Sequence, residues 1–187
     1  MKTVLIVVVL IVVVALIAGA SLVTTRNELV TERQAVDAAW AQVDSALQRR
    51  ADLIPNLVET VKGYAKQEQT VYRDIANARA ALGGARTPGE KLEANANLSN
   101  ALSRLLVIVE NYPQLKSNES FNRLMDELAG TENRINVERR KYNEVVQKYN
   151  TDLQLFPKNI AAGMFGFQPQ PYFKADISAR TAPSVKF

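Results

Sequence analysis

Val4-Leu5-Ile6-Val7-Val8-Val9-Leu10-Ile11-Val12-Val13-Val14-Ala15-Leu16-Ile17-Ala18-Gly19-Ala20-Ser21-Leu22-Val23 carries no charged residue. As a helix rising ~1.5 Å per residue, a stretch of about twenty residues is about 30 Å long, the thickness of a bilayer's hydrocarbon core. Lys2 flanks it on one side and Arg26 on the other. Its length favours a retained transmembrane helix, with a water-soluble helical region hung from it. The competing reading is a cleaved signal peptide. Lys2 then supplies the positive start, and Ala18-Gly19-Ala20 before Ser21 fits a small-residue cleavage site. Against cleavage, the apolar run is long for such a signal and continues through Leu22 and Val23 past the cut. Lys2 on one flank, against Arg26 and Arg33 on the other, leaves the side of the soluble region undecided. Ala15 and Gly19 make a small-xxx-small pair, weak in so apolar a run.

Outward from this stretch, composition narrows the functions open to the chain. Cysteine and histidine are both absent. No disulfide framework, thiol nucleophile or thiolate metal site is available, and the commonest general base and metal ligand are missing. The net charge of +4 is modest, and acidic and basic residues are mixed along the chain. No basic stripe interleaved with aromatics points to nucleic acid. Gly83-Gly84 lacks the Lys-Ser/Thr that completes a phosphate-cradling loop. No enzymatic activity and no cofactor are expected.

From Arg26 to Leu82 the pattern predicts helix. Leu29, Val36, Trp40, Val43, Leu47, Ile54, Leu57, Val61, Tyr64, Val71, Ile75 and Leu82 form a heptad-like stripe, interrupted by polar Arg33, Arg50 and Glu68. Such a stripe seeks partner helices. Pro55 leaves two readings open: a break, with Asp52 capping a new helix, or one long helix kinked there. Gly83-Gly84 is the clearest stop, expected to act through a left-handed cap. Thr87-Pro88-Gly89-Glu90 has the form of a capping box. The helix it opens carries Leu92, Leu98, Leu102, Leu105 and Val109, and ends before Pro113. The next helix is predicted over 118–151 with Ser117 as cap, on a stripe of Phe121, Leu124, Leu128, Thr131, Ile135, Glu138, Tyr142, Val145 and Tyr149. The expected fold is all-α: an antiparallel bundle of about four helices following a transmembrane helix, the first two possible as one helix kinked at Pro55. The expected regions are a transmembrane helix over 1–25, a bundle over 26–157, and a Gly/Pro/aromatic arm and tail over 158–187.

Two groups of residues stand out as candidates. Arg49, Arg50, Asp52, Glu132 and Glu138 could form an interhelical polar network. A lone charge on an apolar stripe is costly to bury, so Arg50 and Glu138 are expected to pair across helices and fix the register. A carboxylate site for a divalent metal is disfavoured, because bundle di-iron sites use Glu-x-x-His motifs. In the arm, Met164, Phe165, Phe167, Tyr172 and Phe173 are too apolar for an idle linker. Either they pack on the bundle's own surface, or they dock on a neighbouring subunit, another protein or the membrane interface. Lys174 to Phe187 reads as a frayed tail.

The order of motifs resembles the LemA family. It runs Ala39-Trp40 with Val43-Asp44, then Leu47-Gln48-Arg49-Arg50 and the run from Asp52-Leu53-Ile54-Pro55-Asn56-Leu57 to Gly63-Tyr64-Ala65. Tyr112-Pro113-Gln114-Leu115-Lys116 and Gly130-Thr131-Glu132-Asn133-Arg134-Ile135 follow, then Arg139-Arg140, Tyr142-Asn143 and Tyr149-Asn150. Phe156-Pro157, Gly163-Met164-Phe165-Gly166-Phe167 and Pro171-Tyr172-Phe173 complete it. Arg26 departs from it, standing before Asn27 where the family usually has tyrosine. The resemblance implies a bacterial single-pass protein of the cell (inner) membrane with a four-helix bundle, and supplies no catalytic residue. Four helices favour a break at Pro55. The expected role is a scaffold or interaction protein whose partners are the bilayer through Val4–Val23, a second copy of itself and, as a further candidate, another membrane protein, but not nucleic acid. The alternative is an exported soluble binding module released by signal cleavage.

Overall fold

The structure is a computed structural model and describes residues 1–173. Lys174–Phe187, expected as a frayed tail, lies outside the described residues. Among the described residues there are six helices and no strand: α1 (Lys2–Lys62), α2 (Gln69–Gly84), α3 (Pro88–Val109), α4 (Pro113–Lys116), α5 (Glu119–Asp152) and α6 (Lys158–Phe165). They fall into two compact units. One takes Met1–Ala39 and Lys141–Tyr172; the other takes Trp40–Arg140 with Phe173.

In the second unit the stripe condenses with four further helices, the short α4 among them. Ile54, Leu57 and Val61 of α1, Ile75 of α2, Leu98 and Leu105 of α3 and Leu115 of α4 are fully buried, with Phe121 and Leu128 of α5 nearly so. Polar contacts give the directions. Ala51 meets Arg79 and Ala65 meets Tyr72, so α2 returns antiparallel to α1. Asp44 meets Lys91 and Arg50 meets Asn95, so α3 runs with α1. Tyr64 meets Asn118 and Arg50 meets Glu132, so α5 returns again. The result is an up-down-up-down bundle.

The break favoured at Pro55 does not occur there; α1 continues through it to Lys62. Proline removes the donor that would serve the carbonyl of Ala51, four residues back. That carbonyl instead accepts a hydrogen bond from Arg79 Nε on α2, at 2.9 Å. The interruption falls between Lys62 and Gln69, inside the region the stripe predicts as helical. There the last turn tightens, with the N–H groups of Tyr64 and Ala65 both donating to the Val61 carbonyl at 3.0 and 2.9 Å. Gly63, a poor helix former, stands at this point. The buried Tyr72 hydroxyl then donates to the Ala65 carbonyl at 2.7 Å, which holds the turn.

The other boundaries follow local chemistry. Gly83 and Gly84 do end α2, but from within its last turn, and neither takes a positive φ. Thr87 and Glu90 make the reciprocal capping box at the start of α3. The side-chain bond at the start of α5 comes from Asn118, one residue beyond Ser117: its Oδ1 accepts from the Phe121 N–H at 3.0 Å.

In the first unit, Leu29 and Val36 of α1 and Tyr142, Val146 and Tyr149 of α5 are buried. Val146 takes the core position that the stripe gives to Val145. The same unit contains the apolar start of α1, where the large side chains from Val4 to Ile17 are 47–68% exposed. This helix is long and apolar enough to cross a membrane.

Candidate functional site

The bundle core contains one buried cation. Arg50 sits on the α1 stripe between Leu47 and Ile54, so the helix directs it inward. Its Nη1 lies 2.6 Å from Glu132 Oε2 on α5 and 2.6 Å from Asn95 Oδ1 on α3. Nε has no hydrogen-bond partner. Burial pulls the guanidinium pKa below its ordinary value, and the Glu132 carboxylate opposes that. One charge thus joins three helices.

Beside it lies a cavity of about 360 Å³. Leu57, Leu102, Leu105, Met125 and Leu128 supply apolar wall, while Arg50, Ser99, Ser103 and Glu132 supply polar atoms. The two serines are turned to their own helix: Ser99 Oγ donates to the Asn95 carbonyl and Ser103 Oγ to the Ser99 carbonyl.

Of the five residues named for a polar network, the structure brings Arg50 and Glu132 together directly. Glu138 is buried on α5. Arg49 points to solvent, and Asp52 accepts from Gln48 Nε2 along the exposed side of α1 at 2.9 Å. Asn95 is the member that sequence reasoning missed. It fills the gap between Leu92 and Leu98 on the α3 stripe, so a polar residue at an inward position was the available signal.

A second ionic group binds the first unit. Lys158 of α6 reaches Asp152 Oδ2 at 2.6 Å, Glu32 Oε1 at 3.3 Å and Glu28 Oε2 at 3.4 Å. Lys148 of α5 also meets Glu32. Hydrogen bonding to Asp152, reinforced by Glu32, holds the Lys158 ammonium well above the usual lysine range. Hydrogen bonding shared with Glu32, and the bond that Lys158 donates, hold the Asp152 carboxyl below its usual range. This group was not anticipated, although Glu28/Glu32 and Lys148/Asp152 each stand four apart on a helix.

The arm is pinned at several points. Gln170 and Asn150 exchange two hydrogen bonds of 2.8 Å, and the Tyr142 hydroxyl donates to the Pro171 carbonyl at 3.1 Å. Phe173 is buried, with its ring centroid 5.5 Å from that of Trp40 and the Arg139 guanidinium over its face. Phe167 is half-buried. Met164, Phe165 and Tyr172 remain exposed. Gly166, at φ 73°, ends α6 in the left-handed conformation that glycine accepts without strain.

Among the described residues no group of three or more acidic side chains is placed to hold a metal ion. The geometry defines a class: an all-α protein with a long, apolar-ended first helix, its units each braced by buried and half-buried ion pairs. The profile of the LemA family matches residues 39–187, and the chain belongs to that family. It is also similar to magnetosome protein MamQ 2 of Paramagnetospirillum magneticum, 28% identical over 183 residues. That match covers 83% of this chain and 66% of the relative. Magnetosome protein MamQ of Magnetospirillum gryphiswaldense is 25% identical over 179 residues, covering 82% of this chain and 66% of the relative. Protein LemA of Metamycoplasma hominis is 22% identical over 138 residues, covering 73% of this chain and 63% of the relative. The chain therefore spans just under two thirds of the length of these curated relatives.

Proposed function

We propose that this LemA-family chain is a membrane-anchored helical interaction protein that works by contact and not by turnover. The anchor is the apolar first part of α1, passing once through the bacterial cell (inner) membrane. The bundle is the platform, engaging further copies of itself and a second membrane protein. One observation carries the reading: the first part of α1, from Val4 to Ile17, is apolar and exposed on every side, and it is long and apolar enough to cross a membrane. The charges that could have served chemistry are engaged in bracing: Arg50 with Glu132 and Asn95, Lys158 with Asp152 and Glu32.

The decisive experiment is intact-mass measurement of the chain purified from membranes, with carbonate extraction alongside. A full-length mass, held in the pellet through carbonate, is the expected result. A mass that begins at Ser21 and a protein free in the supernatant would replace the anchor with an exported soluble binding module. Light scattering in mild detergent tests the association of copies separately. A particle larger than one chain is expected, and a monomer would remove that part alone.

A further inference from the structure

Helix α6 has two polar side chains, Lys158 and Asn159, both at its start. Ala161 and Ala162 are buried, Phe165 lies under the Arg26 guanidinium of α1 at 5.6 Å, and Lys158 reaches Glu28 and Glu32 of α1. These residues share one face, turned toward the rest of the unit. The opposite face presents Ile160 and Met164, four apart, at 49% and 64% exposure, with Asn159 exposed beside them. Just ahead of the helix Leu155 and Phe156 are exposed as well. A short surface helix in water carries polar residues outward; one whose large outward side chains are apolar suits an apolar surrounding.

Its position says which surrounding. The contacts of α6 with α1 fall on Arg26, Glu28 and Glu32, within about two and a half turns of the end of the apolar stretch at Val23, the Phe165 end of α6 lying on Arg26 and the Lys158 end on Glu28 and Glu32. Arg26 is three residues past Val23, about 4.5 Å along the helix. The headgroup layer on each side of the hydrocarbon core is about 5–8 Å deep. The Phe165 end of α6 therefore sits at headgroup depth, where aromatic rings are favoured and where an apolar helix face can enter the acyl boundary.

We propose that α6 is an interfacial helix, its Ile160–Met164 face and the Phe165 ring edge dipping into the leaflet from which α1 emerges. The lipid interface, and not a second protein, is the occupant of this face. The arm then sets the orientation of the unit against the bilayer: α1 gives a pivot, and α6 gives a second point of contact that stops rotation about it. This rests on the anchoring proposed above.

The absence of cysteine makes a clean test, since a single introduced thiol carries the only label. The full chain is reconstituted in phosphatidylcholine/phosphatidylglycerol vesicles with a nitroxide at Ile160→Cys, Met164→Cys, Val12→Cys or Ala38→Cys. Val12 lies in the span; Ala38 is exposed on α1 fifteen residues past Val23, about 22 Å along the helix. Collision with oxygen, which concentrates in lipid, is compared with collision with a polar nickel chelate. The expected oxygen-to-nickel ratio at residues 160 and 164 is several-fold above that at 38 and below that at 12. Ratios at 160 and 164 equal to that at 38, with 12 in lipid, would overturn the interfacial helix and leave the anchor standing. Labels at 160 and 164 shielded from both reagents would assign the face to a second copy and overturn it too. A water-like ratio at 12 would fail the anchor itself, and the inference with it.

Discussion

The two ends of α1 differ in what surrounds them. From Val4 to Ile17 every large side chain is exposed, whichever way it points, whereas from Leu29 to Val61 most large apolar residues lie on one face and are buried, with Val30 an exposed exception. Backbone and helix type are the same throughout. Composition around the circumference distinguishes the two: apolar all round suits a medium that solvates every face, and an apolar stripe suits a protein core on one side and water on the other. The first part satisfies its backbone by its own hydrogen bonds, as a lipid environment requires. The second has its own ladder too and adds partners from elsewhere in the chain: Glu132 and Asn95 meet the Arg50 side chain, and Arg79 donates to the Ala51 carbonyl.

The comparison can be broken most strongly at the level of packing. Leu57 is fully buried and also lines the bundle cavity, so Leu57→Ala should cost about 2–5 kcal/mol in reversible denaturant unfolding in detergent. Leu10→Ala, at 61% exposure in the apolar stretch, should stay within about 0.5 kcal/mol in the same assay. Equal losses at the two positions would mean that the apolar stretch packs as a core does.

A smaller effect sharpens the role of the buried charge. Glu132→Ala leaves Arg50 without its anion while Asn95 stays in place, and because the Glu132 side chain is partly exposed the loss should be about 1–3 kcal/mol. Replacing the set together, Arg50→Met with Asn95→Leu and Glu132→Leu, removes the charges and leaves no polar group unpaired, and should be near neutral. If the triple replacement proves as costly as Glu132→Ala, the polar set contributes net stability.

Much of this was legible in the residues. Periodicity placed Leu29, Val36, Leu47, Leu57, Ile135 and Tyr149 in the core, and the Thr87–Glu90 box fixed the start of α3, because both signals are local. Arg50 was marked by being charged on an apolar stripe and Glu132 stood among the candidates, but the pairing expected for Arg50 was with Glu138. Stripe position drew attention to Glu138, while Glu132, beside the stripe, is the residue whose reach meets Arg50. The Lys158 cluster was hidden for another reason. It joins residues more than a hundred positions apart in sequence, and no motif records which lysine meets which carboxylate. The arm left two readings open, and the structure divides them: Phe173 packs inward while Met164, Phe165 and Tyr172 stay exposed.

Pro55 gives the smallest expected effect and the most specific one. Read locally, proline in a helix predicts a break or kink because the carbonyl four residues back loses its donor. That account leaves out a replacement donor arriving from α2, and Arg79 Nε on the Ala51 carbonyl is one. If this bond is what α1 needs at that point, Arg79→Ala should cost about 1 kcal/mol in denaturant unfolding, the usual net worth of one hydrogen bond. Pro55→Ala restores an N–H to the helix ladder, and in that background the Ala51 carbonyl no longer depends on Arg79. The same Arg79→Ala change should then cost markedly less, giving a coupling of about 0.5–1 kcal/mol in the double-mutant cycle. Additive effects would show that the helix crosses Pro55 without help, held by the burial of Ala51, Ile54 and Leu57 on either side. Continuity of this rod, which the apolar stretch achieves through its own ladder, would then rest in the bundle on packing and not on a borrowed donor.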